Sequence, residues 1–464
     1  MVLGKPSLLA FHFRTLARSP GYLDLSPGAG SCQAGSTREK DVSIEDSVET
    51  ENADVDELLR RLVRFLLRNS AEGAFELQPV IRAVGKTYGV RADVLIIVEG
   101  AVVAVSHADG SQYTAIVRVA PELARLDLVS ESKLLVNRVI AGELSARAAG
   151  RELSDLQARR DPYPAWLRCF GVVLFAAGFA PSVQATWREL GSSLVLGALA
   201  GIVFIGGERA GRLRLLLPLV GPFVVALVAF KALNAHHAPG GPVVLMVPAL
   251  FVWIPGDYLC AGTAELAVGQ VTPGAVRLAQ AAFTLFEIAA GVLIAAELSN
   301  VGTTSLFEST VPPTLPDWFI AVSWIVFTLG LVLAFSARIR DYPWMLALVY
   351  LAWGVQLGVT KIVGPTVGTF AAGAVLAIAG GLLDQSRRLP PRIVLILAGF
   401  FALTVGALAL RGLAVIDGGQ HIQGFNDLRD AITQTLALTV GLVVGALSVG
   451  AFLTHILGRR EVLA

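Results

Sequence analysis

The last 300 residues of this 464-residue chain are a succession of apolar stretches near bilayer-spanning length, and no other feature limits the fold so tightly. They fall at 165–181, 191–207, 213–233, 242–260, 275–296, 317–336, 342–360, 362–383, 391–411 and 428–457. A hydrocarbon core of about 30 Å needs roughly 20 helical residues, so the pattern predicts ten transmembrane helices, the first two short. Charge divides the same way: 31 of the last 300 residues are Asp, Glu, Lys or Arg, against 42 of the first 164. That split argues against a purely soluble enzyme. A net charge of +1 without a long basic run argues against nucleic acid as a partner. Cys32, Cys169 and Cys260 are too few and too scattered for a disulfide framework or a cysteine zinc site, and no cofactor or metal is expected.

Residues 1–54 mix Gly, Ser, Pro and charge without apolar periodicity and are expected to form a poorly ordered tail. Residues 55–160 read as an N-terminal cytoplasmic α/β domain. Leu58 to Leu67 suits one helix and Phe75 to Val84 a second. The β-branched runs Val94–Val98, Val102–Ser106 and Tyr113–Val119, parted by Glu99-Gly100 and Asp109-Gly110, predict a three-stranded meander. Helices over Leu128–Ile140 and Ala146–Leu156 follow, and Asp161-Pro162-Tyr163-Pro164 is a stiff linker to the membrane.

With the N-terminal domain in the cytoplasm, eleven Lys and Arg residues, Arg277 among them, fall in segments on its side and five on the other. The positive-inside bias therefore predicts a multi-pass cell membrane protein, plasma or inner, with both termini cytoplasmic. Ten helices also divide into five-helix units at 165–298 and 316–458, and an odd number of crossings makes any repeat inverted. Two internal matches point that way. Leu219-Val220-Gly221-Pro222 resembles Ile362-Val363-Gly364-Pro365, and Trp253 to Tyr258 resembles Leu403 to Leu408.

Candidate functional residues are those whose chemistry is expensive in lipid. Glu287 lies near the middle of the fifth segment, where a carboxylate is protonated, paired or faces water. Pro255-Gly256-Asp257 reads as the close of the fourth helix, freeing backbone groups that protein or a watery cavity must satisfy. Gly364 and Pro365 make a similar break, with Lys361 and Gln356 nearby to receive a carboxylate, although Lys361 also suits snorkelling. His236 and His237 read as an exposed pair, and His107, Asp109 and Ser111 as turn polarity rather than a hydrolytic set. No P-loop is present.

From Asp56 onward the chain resembles the threonine/serine exporter family. The likeness rests on Asn69 to Ala74, Tyr88-Gly89, Thr114 to Arg118, Leu126-Asp127-Leu128 and Val139 to Ser145, then on Ile254-Pro255-Gly256, Glu265 to Gly269, Gly274, Arg277-Leu278 and Gly291. The resemblance implies a ten-helix secondary carrier, not an enzyme, exporting threonine and serine on a proton gradient or the membrane potential. Where the family repeats a Pro-Gly break in its second half, this chain has Val405-Gly406. On this reading Asp257 or Glu287 holds the substrate ammonium, and Glu287 couples the proton. A membrane-anchored receptor or scaffold sensing a metabolite, or a carrier of another small polar solute, is the alternative, and assembly into a homo-oligomer is left open.

Overall fold

The computed structural model describes residues 38–69, 74–97, 100–118, 125–184, 186–233, 241–267, 269–301, 315–403 and 421–457. Two compact units divide the chain, residues 1–49 and 50–464. Helix α1 runs over Arg38–Asn69, so it begins inside the segment expected to be a tail; its early turns are rich in Glu and Asp, which favour a helix N-terminus. Within the second unit, α2 (Ala74–Thr87), β1 (Arg91–Ile97), β2 (Gly100–Ser106) and β3 (Gln112–Arg118) follow, then α3 (Leu126–Ile140) and α4 (Ala146–Ala158). The strands pair in sequence order, all antiparallel, as tight turns between β-branched runs require. Leu59, Val63, Ile81, Val84, Val103, Val117 and Leu153 meet in one hydrophobic cluster between the sheet and helices.

The apolar region holds α5 (Ala165–Phe179), α6 (Trp187–Gly207), α7 (Leu217–Ala232), α8 (Pro242–Leu250), α9 (Gly256–Ala267) and α10 (Val271–Leu298). Then come α11 (Asp317–Ala334), α12 (Tyr342–Ile362), α13 (Pro365–Asp384), α14 (Arg392–Ala402) and α15 (His421–Leu457). Among the described residues seven helical segments are long and apolar enough to cross a bilayer, with three shorter apolar ones at Val244–Trp253, Trp318–Ala334 and Arg392–Ala402. The described residues thus show a polytopic helical protein and leave the count of ten spans an expectation. The fourth segment is cut at Ile254-Pro255, and the described part of the ninth stops at Leu403, residues 404–420 lying outside the described set. Helix α6 starts four residues before its apolar stretch because Thr186 and Glu189 form a reciprocal capping box, with Glu189 Oε2 accepting from the Thr186 amide at 3.0 Å.

Helix pairings recur in the two halves: α7 packs on α10 and α13 on α15, α6 on α8 and α12 on α14, and α5 on α11. At the centre Phe175 stacks on Phe327 at 4.8 Å and Phe251 meets Phe401 at 5.4 Å. A Cβ on Gly178 would lie 2.2 Å from Phe327 N, and one on Gly330 2.2 Å from Phe175 N. A Cβ on Gly291 would lie 2.4 Å from Leu219 O and 3.0 Å from Phe223 N; one on Gly441 would lie 2.2 Å from Phe370 O and 3.0 Å from Ala374 N. Corresponding positions in these pairs are 150 to 152 residues apart. The Gly221/Gly364 match, 143 apart, has no such counterpart: Gly221 and Pro222 lie inside α7, whereas Gly364 precedes α13 with φ +131°.

Helix α3 belongs to both clusters, Leu128 and Leu135 facing the sheet side and Leu126 and Val129 packing among the membrane helices. Its first amides donate to the end of α11, Leu126 N to Phe335 O at 3.2 Å and Asp127 N to Ser336 O at 3.1 Å. Ser336, at φ +56°, takes the left-handed position of a helix C-terminus usually given to glycine, and Ala337 N closes back on Val332 O. Ser130 donates to the buried Asp341, which also receives Arg338 at 2.9 Å. Lys133 Nζ reaches four oxygens at and just beyond the end of α13: Asp384 Oδ1 and O, Ser386 O and Leu389 O.

Candidate functional site

The break between α8 and α9 has a local cause. Proline has no amide donor and biases the preceding residue to extended backbone; Ile254 is at φ −65°, ψ +123°, and the helix restarts when Leu259 N bonds to Pro255 O at 3.1 Å. Pro255-Gly256 therefore opens a second half-helix rather than closing the fourth span, and Asp257 sits in the first turn of α9. Both Pro255 and Gly256 are buried, and a Cβ on Gly256 would meet the Phe400 ring of α14 at 2.6 Å. The positive end of the α9 dipole thus lies beside a half-buried carboxylate. Just before the break, the Trp253 indole is buried against Gly221, and its Nε1 has no hydrogen-bond partner among the described residues.

Helices α9 and α10 form a hairpin turned at Gly269 (φ +82°), with Gln270 N bonded to Glu265 O at 2.8 Å. It brings together Glu265, at 0% exposure, and Arg277, whose Nε lies 3.1 Å from Glu265 Oε2. The Arg277 guanidinium also lies near enough to attract the carboxylate of Asp257 and the phenol oxygen of Tyr258. Sequence reasoning missed this pair as a site. By sequence Arg277 counts among the loop cations, and the signal for the pairing is an acid and an arginine twelve positions apart across a Gly-Gln turn.

Glu287 lies on α10 ten residues beyond Arg277, about 15 Å along the helix. It is half-buried between the outward Phe283 and Phe286, each 59% exposed, and the buried Leu285 and Ile288. Among the described residues no hydrogen bond links it to Asp257. In the second half, Lys361 is exposed in the last turn of α12, and Gly364-Pro365 form the turn into α13. Gln356 is drawn inward instead. Its Nε2 donates to Thr369 Oγ1 at 3.2 Å, and Thr369 donates to Gln434 Oε1 at 3.2 Å, a half-buried polar chain across α12, α13 and α15.

Outside the helical region, Ser111 donates through N and Oγ to Asp109 Oδ1, the turn polarity expected there, and His107 Nε2 meets Asp56 at 3.0 Å. Among the described residues no three His, Cys, Asp or Glu side chains group as metal ligands. His236 and His237, and the match at 404–408, lie outside the described residues.

The sequence model of a family described as putative threonine/serine exporter matches residues 57–299, which include the α8–α9 break, the Glu265–Arg277 pair and Glu287. A probable threonine/serine exporter of Mycobacterium tuberculosis is 27% identical over 344 residues, 68% of this chain and 61% of that protein. An uncharacterized protein of Schizosaccharomyces pombe is 26% identical, covering 62% of this chain and 36% of its own length. A pheromone-regulated membrane protein of Eremothecium gossypii is 24% identical, covering 46% of this chain and 29% of its own. The chain thus spans about three-fifths of the mycobacterial relative and about a third of the fungal ones. No solved structure matches.

Proposed function

We propose, because this chain belongs to the threonine/serine exporter family, that it is a secondary carrier moving threonine and serine out of the cytoplasm, driven by a proton gradient or the membrane potential. The observation that carries the reading is the broken fourth segment. A half-helix starting inside an apolar bundle, with Asp257 in its first turn, offers both freed backbone groups and a charge to a polar solute. Glu287, the carboxylate between lipid-facing phenylalanines, is the group proposed to load and release the proton. One charge moved across 100 mV gains about 2.3 kcal/mol, roughly a fifty-fold concentration ratio, which drives export against a moderate gradient.

Alternating access by two inverted five-helix halves completes the proposal. It is supported by the glycine and phenylalanine contacts that recur 150 to 152 positions apart, since residues on a two-fold axis meet their own counterparts. Both termini are assigned to the cytoplasm, which puts the sheet and α3 on the side from which substrate is drawn. The test is counterflow in liposomes loaded with labelled threonine, with serine, other amino acids and organic acids as competitors. Threonine and serine should compete and dicarboxylates should not. In Glu287→Gln the rate should lose its pH dependence; an unchanged pH profile would remove Glu287 from the mechanism.

A further inference from the structure

The Glu265–Arg277 pair is expensive where it stands. A buried ion pair recovers its desolvation only with good geometry, and an apolar pair of similar volume would hold two helices at least as well. Nor is the pair needed to bring α9 and α10 together. Their backbones already touch through small residues: a Cβ on Gly274 would lie 2.7 Å from Gly262 O, and one on Gly262 3.0 Å from the Arg277 Cβ. Tyr258, Gly262 and Glu265 recur at helical spacing along the α9 face that meets Gly274 and Arg277, with Asp257 beside Tyr258. One face of a half-helix thus presents a phenol, a gap without side chains and a carboxylate to a single guanidinium, with Asp257 about a quarter-turn away.

We infer that Glu265 and Arg277 are the recognition pair for the zwitterionic backbone of the substrate, the α-carboxylate docking on Arg277 and the α-ammonium on Glu265. This rests on the transport reading above and names residues for it. In the described conformation the Arg277 guanidinium, 3.1 Å away through Nε, offsets the Glu265 charge. A free α-amino acid brings one positive and one negative group, so it replaces both halves of the pair without adding net charge to a water-poor space. A simple amine or a simple carboxylate would instead bring one uncompensated charge to the site, and both are disfavoured by that cost. Arginine suits the task because its planar fork accepts a carboxylate through two parallel hydrogen bonds.

The test uses the full chain, first in detergent and then in liposomes. Threonine should raise the unfolding midpoint of the wild type and drive counterflow, whereas threoninamide and N-acetylthreonine at tenfold excess should neither stabilise nor compete. E265Q and R277K should each raise the KM for threonine at least tenfold. The double variant E265L/R277M keeps the hairpin packed; it should unfold at or above the wild-type midpoint yet lose both the threonine shift and counterflow. Retention of the shift and of counterflow in E265L/R277M would overturn the assignment, and so would R277K with a wild-type KM. A wild type that is stabilised by threonine through this pair but moves neither threonine nor serine would instead refute the transport reading and leave the binding site standing.

Discussion

Replacing Gly178 or Gly330 with alanine places a methyl group where the backbones of α5 and α11 touch. In each case the new carbon would lie 2.2 Å from a backbone nitrogen of the facing helix, Phe327 N or Phe175 N. Ordinary contact begins near 3.4 Å, so the helices must part by about 1.2 Å, and no flexible side chain can give way. Overpacking of this kind costs about 1–3 kcal/mol, and the Phe175–Phe327 stack at 4.8 Å is loosened with it. Alanine recovers about 0.5–1 kcal/mol of helix preference over glycine, so the middles of the two ranges leave a net loss of about 1 kcal/mol for either variant. The informative case is the double variant. Because both contacts lie in one interface, the separation forced by the first methyl makes room for the second, and Gly178→Ala/Gly330→Ala should cost little more than either alone. Unfolding followed by helical circular dichroism in a fixed mild detergent measures all three. Single variants within 0.5 kcal/mol of wild type, or a double variant equal to the sum, would refute the shared contact.

Thr369→Val keeps the volume but removes the hydroxyl that joins Gln356 to Gln434, leaving two half-buried side-chain amides short of a partner at a cost of about 1 kcal/mol; an unchanged unfolding midpoint would show that the chain carries no stability. Glu57 gives a pH signature. Hydrogen bonds from Arg60, and then from Arg61, hold its carboxyl at about 2, well below the usual glutamate value of 4.5. The folded protein therefore binds this proton less readily than the unfolded chain, and the contribution is full above pH 4.5 and lost as pH falls toward 2. Because the Glu57 side chain is 40% exposed, solvent screening reduces it to about 1 kcal/mol. Glu57→Gln should lower stability by that amount at pH 7 and much less at pH 2, measured as the difference in unfolding midpoint.

Local features were legible in the sequence and distant pairings were not. The meander followed from β-branched runs ended by Glu99-Gly100 and Asp109-Gly110, because turn chemistry acts over a few residues. The interruption at Pro255 was equally local, although whether a helix ends or restarts there depends on what packs around Gly256. The Gly221/Gly364 likeness misled because four residues carry no information on helix phase; one copy lies within α7 and the other before α13. Arg277 looked like a loop cation because periodicity does not reveal that a hairpin turns it back onto Glu265. Lys133 and its acceptors near Asp384 stand about 250 positions apart, and no pattern along one chain announces such a meeting.

The junction of α3 with α11 joins two incomplete helix ends. The amides of Leu126 and Asp127 have no partner within α3, and the carbonyls of Phe335 and Ser336 have none within α11; each set completes the other. The two helices therefore behave as a jointed strut, because sliding either by an ångström strips hydrogen bonds from both. If α11 rocks in the proposed transport cycle, α3 must travel with it, carrying the Lys133 clamp on the end of α13. Movement in the second half is then mechanically bound to the sheet that precedes the first.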